Sequence, residues 1–270
     1  MDKNVNEIKD CLHRISNTLM INGGYSGNPG LYSGDMGIVL FFNHYALFTQ
    51  NKIYSEYASY LLDKTQNKLN QFTPFNYKQG LTGIGSAIEY LAQNGYIVAN
   101  TDEILEVFDK RIFFTYHLSY LPVDKIVDIG CYVLWRMAGK SVLKDTILKS
   151  AVSQIVNVME ERQTSLDLTH PTVSFFRDIF SAENFLSLQD RAVISTWFQS
   201  CRENNAIGRP QGFAPTMPLT KFDLGIQNGL AGLGLSFISE LDGVDSWASL
   251  FPPIFECQLI TNNIPLQRGI

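Results

Sequence analysis

The stretch "GLTGIGSAIEYLAQNGY", residues 80–96, sets three glycines in its first six positions and then runs on as an amphipathic segment until Asn94-Gly95. A glycine-rich helix start serves as a phosphate cradle, a tight packing joint, or one unit of a repeat. A phosphate loop would carry a lysine after its second glycine or a strand before its first, and neither is present. Working outward, the same G-x-x-G start recurs in "GDMGIVLFF" from Gly34 and in "GLAGLGLSF" from Gly229. Degenerate copies fill the gap: "VDIGCYVLW" from Val127 keeps the second glycine as Gly130, and "PTVSFFRDIF" from Pro171 keeps small or turn residues. The intervals are then 46, 47, 44 and 58 residues.

A period near 45 residues, with one glycine-started helix and one longer amphipathic helix per unit, predicts stacked helical hairpins. An open solenoid and an α/α toroid both satisfy that pattern. The glycines favour the toroid, because the starts of its inner helices crowd together and a missing side chain lets backbones approach. The fold expected is all-α, an incomplete or small α/α toroid forming one domain over residues 1–270. The intervening helices fit. "NKIYSEYASYLLDKTQNKLNQF" (51–72) places Ile53, Tyr57, Tyr60, Leu61 and Leu69 on one stripe, and Thr101 is the expected N-cap of "TDEILEVFDKRIFFTYHL". "SVLKDTILKSAVSQIVNVMEERQ" carries Leu143, Ile147, Val152, Ile155 and Val158 at similar spacing, and "SLQDRAVISTWFQSCRENN" repeats the design. Only 208–223, with three prolines and two glycines, reads as a long loop, and the C-terminal tail reads as irregular.

At 270 residues and 45% hydrophobic, the chain can bury a large core. Its net charge of -5 comes without a Lys/Arg run, which argues against nucleic acid and anionic membrane as partners. The N-terminus alternates charged and apolar residues instead of presenting a signal peptide, and runs such as "GIVLFF" fall far short of the roughly 20 residues a membrane span takes. A cytoplasmic protein is expected. Cys11, Cys131, Cys201 and Cys257 lie far apart with no C-x-x-C spacing, so reduced, buried thiols are expected rather than disulfides.

With "GLYSGDMGIVLFF", "GLTGIGSAIEYL" and "NGLAGLGLSFI" the sequence resembles the lanthionine synthetase C-like family over roughly residues 20 to 250. The resemblance implies a peptide cyclase lineage in which a cysteine thiol adds to a dehydrated serine or threonine on a zinc ion held by two cysteines and a histidine. It also implies seven units in a full-size member, against five recognised here. The family's W-C-Y-G and C-H-G ligand motifs fall at late inner-helix starts. Where Cys-His-Gly would stand, this chain has Gln227, Asn228 and Gly229 in "GIQNGLAGLG", and carboxamides are poor zinc ligands. Cys131-Tyr132 sits in the third unit, and one cysteine does not build a site. No metal and no cofactor are therefore expected.

Two polar features of the family's cavity survive by resemblance: an aspartate at the third unit, matched by Asp128, and a histidine before the fourth, matched by His170 in "LTHPTVSFF". Facing a cavity, the pair would move protons near neutral pH. The plainer alternative makes Asp128 a helix cap and His170 the residue before a proline at a first helical position. Asp35, Gln227 and Asn228 are the expected substrate-binding residues, Asp35 having as its alternative a dipole-complementing role in the first turn. His44 and His117, inside aromatic-rich helices, read as packed, and Cys11 and His13 are two apart and share no face.

The function expected is zinc-less modification or binding of a ribosomally synthesised peptide in the central cavity, as in lantibiotic biosynthesis. A modification enzyme is an alternative partner, and a homodimer would cover the edges of an unclosed ring. Two other functions stand beside this one: a zinc-dependent thioether-forming cyclase with zinc shared through Cys131 and a partner chain, and a glycan-acting α/α toroid hydrolase. The hydrolase would use Asp35 and Asp128 as paired carboxylates about 5 to 10 Å apart.

Overall fold

In the computed structural model, residues 2–114, 118–139, 145–161, 224–227 and 229–251 are described. The expected fourth repeat start at Pro171, the 208–223 loop, His117, His170, Asn228, Cys201 and Cys257 lie outside them. The helices are α1 (Asp2–Asn22), α2 (Asp35–Thr49), α3 (Lys52–Lys68), α4 (Leu81–Gln93), α5 (Thr101–Ile104), α6 (Glu106–Phe114), α7 (Val123–Ala138), α8 (Asp145–Glu161) and α9 (Leu230–Asp242). Short 3-10 turns lie at Gly23–Tyr25, Leu118–Tyr120 and Ser246–Leu250. The chain is all-α, with no strand among the described residues. It forms two compact units, one carrying α1, α2, α3 and α9 and the other α4 to α8.

Three helices start where the sequence places them: Gly34, Gly80 and Gly229 are the N-caps of α2, α4 and α9. The caps use no side chain, and their negative φ angles are open to any residue; at Gly34 and Gly80 the glycine answers a steric demand. Before α4 the chain doubles back: Leu81 N donates to Pro74 O at 2.8 Å and Gly80 N to Asn76 O at 2.8 Å. A Cβ at Gly80 would overlap the Pro74 carbonyl, and one at Gly34 would overlap that of Asn28, which takes the Asp35 N–H at 2.9 Å. The first amides of α2 and α4 are thus satisfied by their own loops and not held open for an anion. The glycine-rich start is a packing joint.

The third glycine of "GLTGIG" and of "GLAGLG" has another task. A Cβ at Gly85 would strike the Tyr132 ring of α7, and one at Gly234 would strike the Phe41 ring of α2. In each unit, therefore, a glycine notch on a glycine-started helix receives an aromatic ring from a neighbouring helix. The contacts also run in the same order on both helices: Ile226 lies against Gly37 and Phe41 against Gly234 in the first unit, so α2 and α9 are parallel.

Three expectations are corrected. Helix α7 starts at Val123 after Pro122, not at Val127, because proline ends the upstream segment and its carbonyl takes the Lys125 and Ile126 amides at 3.0 and 3.2 Å. The degenerate motif lacks its first glycine because an extra turn of helix stands there. Asn100, not Thr101, caps α5, accepting from Asp102 N. The α3 stripe is rotated: Ile53 and Tyr60 are exposed, while Ala58, Leu61 and Thr65 are buried at i, i+3 and i+7. On α8, Leu148 joins Val152, Ile155 and Val158 inside, whereas Ile147 is partly exposed.

Candidate functional site

Since α7 begins five residues before it, Asp128 does not cap the helix. It sits in the second turn and is only 4% exposed. The capping alternative is therefore excluded. Its carboxylate accepts a hydrogen bond from the Tyr77 backbone and lies 3.4 Å from the Lys125 ammonium one turn earlier. Burial outweighs both, pushing the Asp128 carboxyl up from 3.8 to about 6. A group poised there exchanges protons near neutral pH, as an acid–base residue must. Beside it lies Tyr77, fully buried, its hydroxyl donating to Leu250 O at 3.0 Å and its pKa raised by burial and by the nearby Cys131 and Asp128. Cys131, one turn beyond Asp128 on α7, is buried and forms no disulfide among the described residues, as the cysteine spacing predicts.

Asp35 belongs to the other unit. Its side chain is fully buried at the first position of α2, where Oδ2 pairs with Lys68 from the end of α3 and Oδ1 has no hydrogen-bond partner among the described residues. The same ammonium also donates to Ser26 O. This lysine, which the sequence analysis missed, makes Asp35 more than a dipole complement: it fastens the loop before α2 to α3. A buried, ion-paired carboxylate is closed to a glycosidic oxygen, which removes one acid from the hydrolase alternative. Gln227 is half-buried, its N–H donating to Tyr32 O at 2.9 Å. His44 is 2% exposed, and burial pushes its pKa down from 6.5 to about 4, so it is neutral at pH 7.

The second unit holds an ionic group that sequence reading passed over. Arg136, 1% exposed near the end of α7, pairs with Glu89 of α4, with Asp109 of α6 at 2.9 Å and with Asp102 of α5 at 2.9 Å. Tyr132 donates to Asp109 Oδ1 at 2.6 Å, and Gln93 to Glu89 Oε2 at 3.3 Å. The signal was available: Glu89 and Arg136 each lie four residues after a member of the Gly85–Tyr132 contact, on the faces that meet.

A model of the lanthionine synthetase C-like protein family matches residues 25–171, just over half of the chain, from the loop before Gly34 to the expected fourth repeat start. The chain belongs to the lanthionine synthetase C-like family. This is a family related to peptide modification whose fold is an α/α toroid, and the helices described above agree with it. No curated protein and no solved structure matches the chain. The match ends before Gln227, so it does not reach the position where this family's Cys-His-Gly would stand. Among the described residues, no group of three His, Cys, Asp or Glu is placed to share a metal ion.

Proposed function

We propose that this lanthionine synthetase C-like protein binds and helps to modify a ribosomally synthesised peptide without a zinc ion, and that Asp128 is the proton-exchanging group at its site. One observation carries the reading: within the segment that matches the family, a buried carboxylate on a glycine-register helix titrates near pH 6, with a half-exposed lysine beside it. Zinc in this chemistry lowers the pKa of a thiol. Without it, a carboxylate that takes a proton from a peptide hydroxyl or thiol, or returns one, is the available device. His170 belongs to the proposal as the partner of Asp128, and Gln227 and Asn228 as residues that contact the peptide, whereas Asp35, buried and paired with Lys68, holds the loop before α2. A cytoplasmic location and a second copy or a modification enzyme as partner belong to it as well.

The test is calorimetric titration of the purified protein with a precursor peptide between pH 5 and 8, for the wild type and for Asp128→Asn. Binding that saturates, and whose pH dependence across pH 6 disappears in Asp128→Asn, supports the reading. Absence of binding, or an unchanged pH dependence in the variant, sinks it.

A further inference from the structure

We propose that Tyr132 and Arg136 are positioning residues for Asp128, forming with Gly85 and Glu89 a register lock that sets how far α7 is slid along α4. The inference rests on the reading of Asp128 as the functional carboxylate, and the argument starts from spacing. Asp128, Tyr132 and Arg136 follow one another at intervals of four, so they lie along one face of α7, about 6 Å apart per step. On the other side, Tyr77 before α4, then Gly85 and Glu89, meet them in the same order. Asp128 accepts from the Tyr77 backbone, the Tyr132 ring fills the notch at Gly85, and Arg136 pairs with Glu89. Gln93 reaches back across the pair, donating to Trp135 O at 3.1 Å. The helices therefore run parallel with matched rungs, and Asp128 is the first rung.

Each upper rung tolerates little sliding. The ring of Tyr132 sits where a Cβ would be, and its hydroxyl is tied to Asp109 of α6. Arg136 is forked between carboxylates of α4, α5 and α6, so moving α7 along its axis breaks several buried charged hydrogen bonds at once. Against that, the Tyr77–Asp128 rung is a single hydrogen bond and a half-exposed lysine. The energetic weight lies two turns from the carboxylate it places. Gly139 supports the lock, since a Cβ there would crowd Glu89 Oε2 at 2.7 Å.

The groups that act on Asp128 are Lys125 and Asp124 on its own helix and the Tyr77 backbone, with Cys131 acting in turn on Tyr77. None belongs to the upper rungs, so a merely stabilising role for those rungs leaves the Asp128 titration where it is. The experiment is a carboxyl-carbon NMR titration of the full chain labelled at aspartate, with Asp128 assigned through Asp128→Asn. Tyr132→Phe and Arg136→Lys are compared with the wild type and with Val158→Ala, a cavity variant on α8. The lock predicts that both ladder variants shift the Asp128 midpoint by at least about half a pH unit toward the usual carboxylate range, and that Val158→Ala does not. A midpoint unmoved in the ladder variants overturns the inference, as does a midpoint moved equally by Val158→Ala. If Arg136→Lys does not fold, Gly85→Ala, whose added Cβ displaces the Tyr132 ring from its notch, is measured in its place. The readout uses no peptide, so failure of the binding experiment and failure of the lock are separate results.

Discussion

Replacing Asp128 by asparagine should make the fold more stable at neutral pH while impairing the proposed function. The carboxyl titrates at 3.8 when unfolded and at about 6 when folded, with burial as the main cause. A folded-state pKa raised in this way gives stability that is fully present below pH 3.8 and lost as the pH rises through 6, so at pH 7.5 the wild type lacks about 3 kcal/mol that a neutral side chain retains. Asparagine keeps an oxygen for the Tyr77 N–H, and the lost Lys125 pair is already contained in that figure, because the pKa of about 6 is reached with the lysine in place. The amide also has donors to satisfy, at a cost of about 1 kcal/mol. The net expectation for Asp128→Asn is a gain of about 1 to 2 kcal/mol at pH 7.5, shrinking by about 1.4 kcal/mol at pH 5 as the wild-type carboxyl takes up its proton. Urea denaturation of both proteins at the two pH values measures it, and since His44 is common to both, its titration cancels. A variant less stable than the wild type at pH 7.5, or a difference that does not change with pH, would refute the reasoning.

Three further outcomes follow from the same geometry. Lys68→Met strands the Asp35 carboxylate in the interior and should cost about 3 kcal/mol by thermal or urea unfolding, with Asp35→Asn in the same background restoring part of it. Gly80→Ala drives a methyl into the Pro74 carbonyl and should cost about 2 to 3 kcal/mol, while Gly27→Ala, which meets nothing within 4 Å, should stay within about 0.5 kcal/mol of the wild type in the same melts. His44, neutral in the fold and titrating at about 4 against 6.5 unfolded, contributes stability that is present above pH 6.5 and lost as the pH falls toward 4. The loss is about 3 kcal/mol, and a pH series of denaturation curves for His44→Gln should show a correspondingly flatter acid limb.

What was legible in the sequence is what glycine encodes. At Gly34 and Gly80 the loop carbonyls leave no room for a side chain, so helix starts at those places could be read without coordinates. Where the steric demand lapses, so did the reading: Pro122 starts α7 a turn early, and Asp128 moved from an expected terminus into the helix. The α3 stripe was misjudged because tyrosine and isoleucine satisfy a helical pattern from either side of its boundary, and only the neighbours select Tyr57, Ala58 and Leu61 over Ile53 and Tyr60. The charged contacts were the least legible. Asp35 with Lys68, and Arg136 with Glu89, Asp102 and Asp109, join residues 27 to 47 apart in sequence, and nothing local tells a buried ion pair from a solvated face.

The most direct test of the zinc-independent account is elemental analysis of the purified full-length chain, incubated with zinc, washed with a mild chelator, and then titrated with precursor peptide. The account predicts that no stoichiometric zinc remains and that peptide binding survives the wash. Retention of about one zinc per chain, with binding lost when it is stripped, would contradict it and return thiol activation by a metal to this fold.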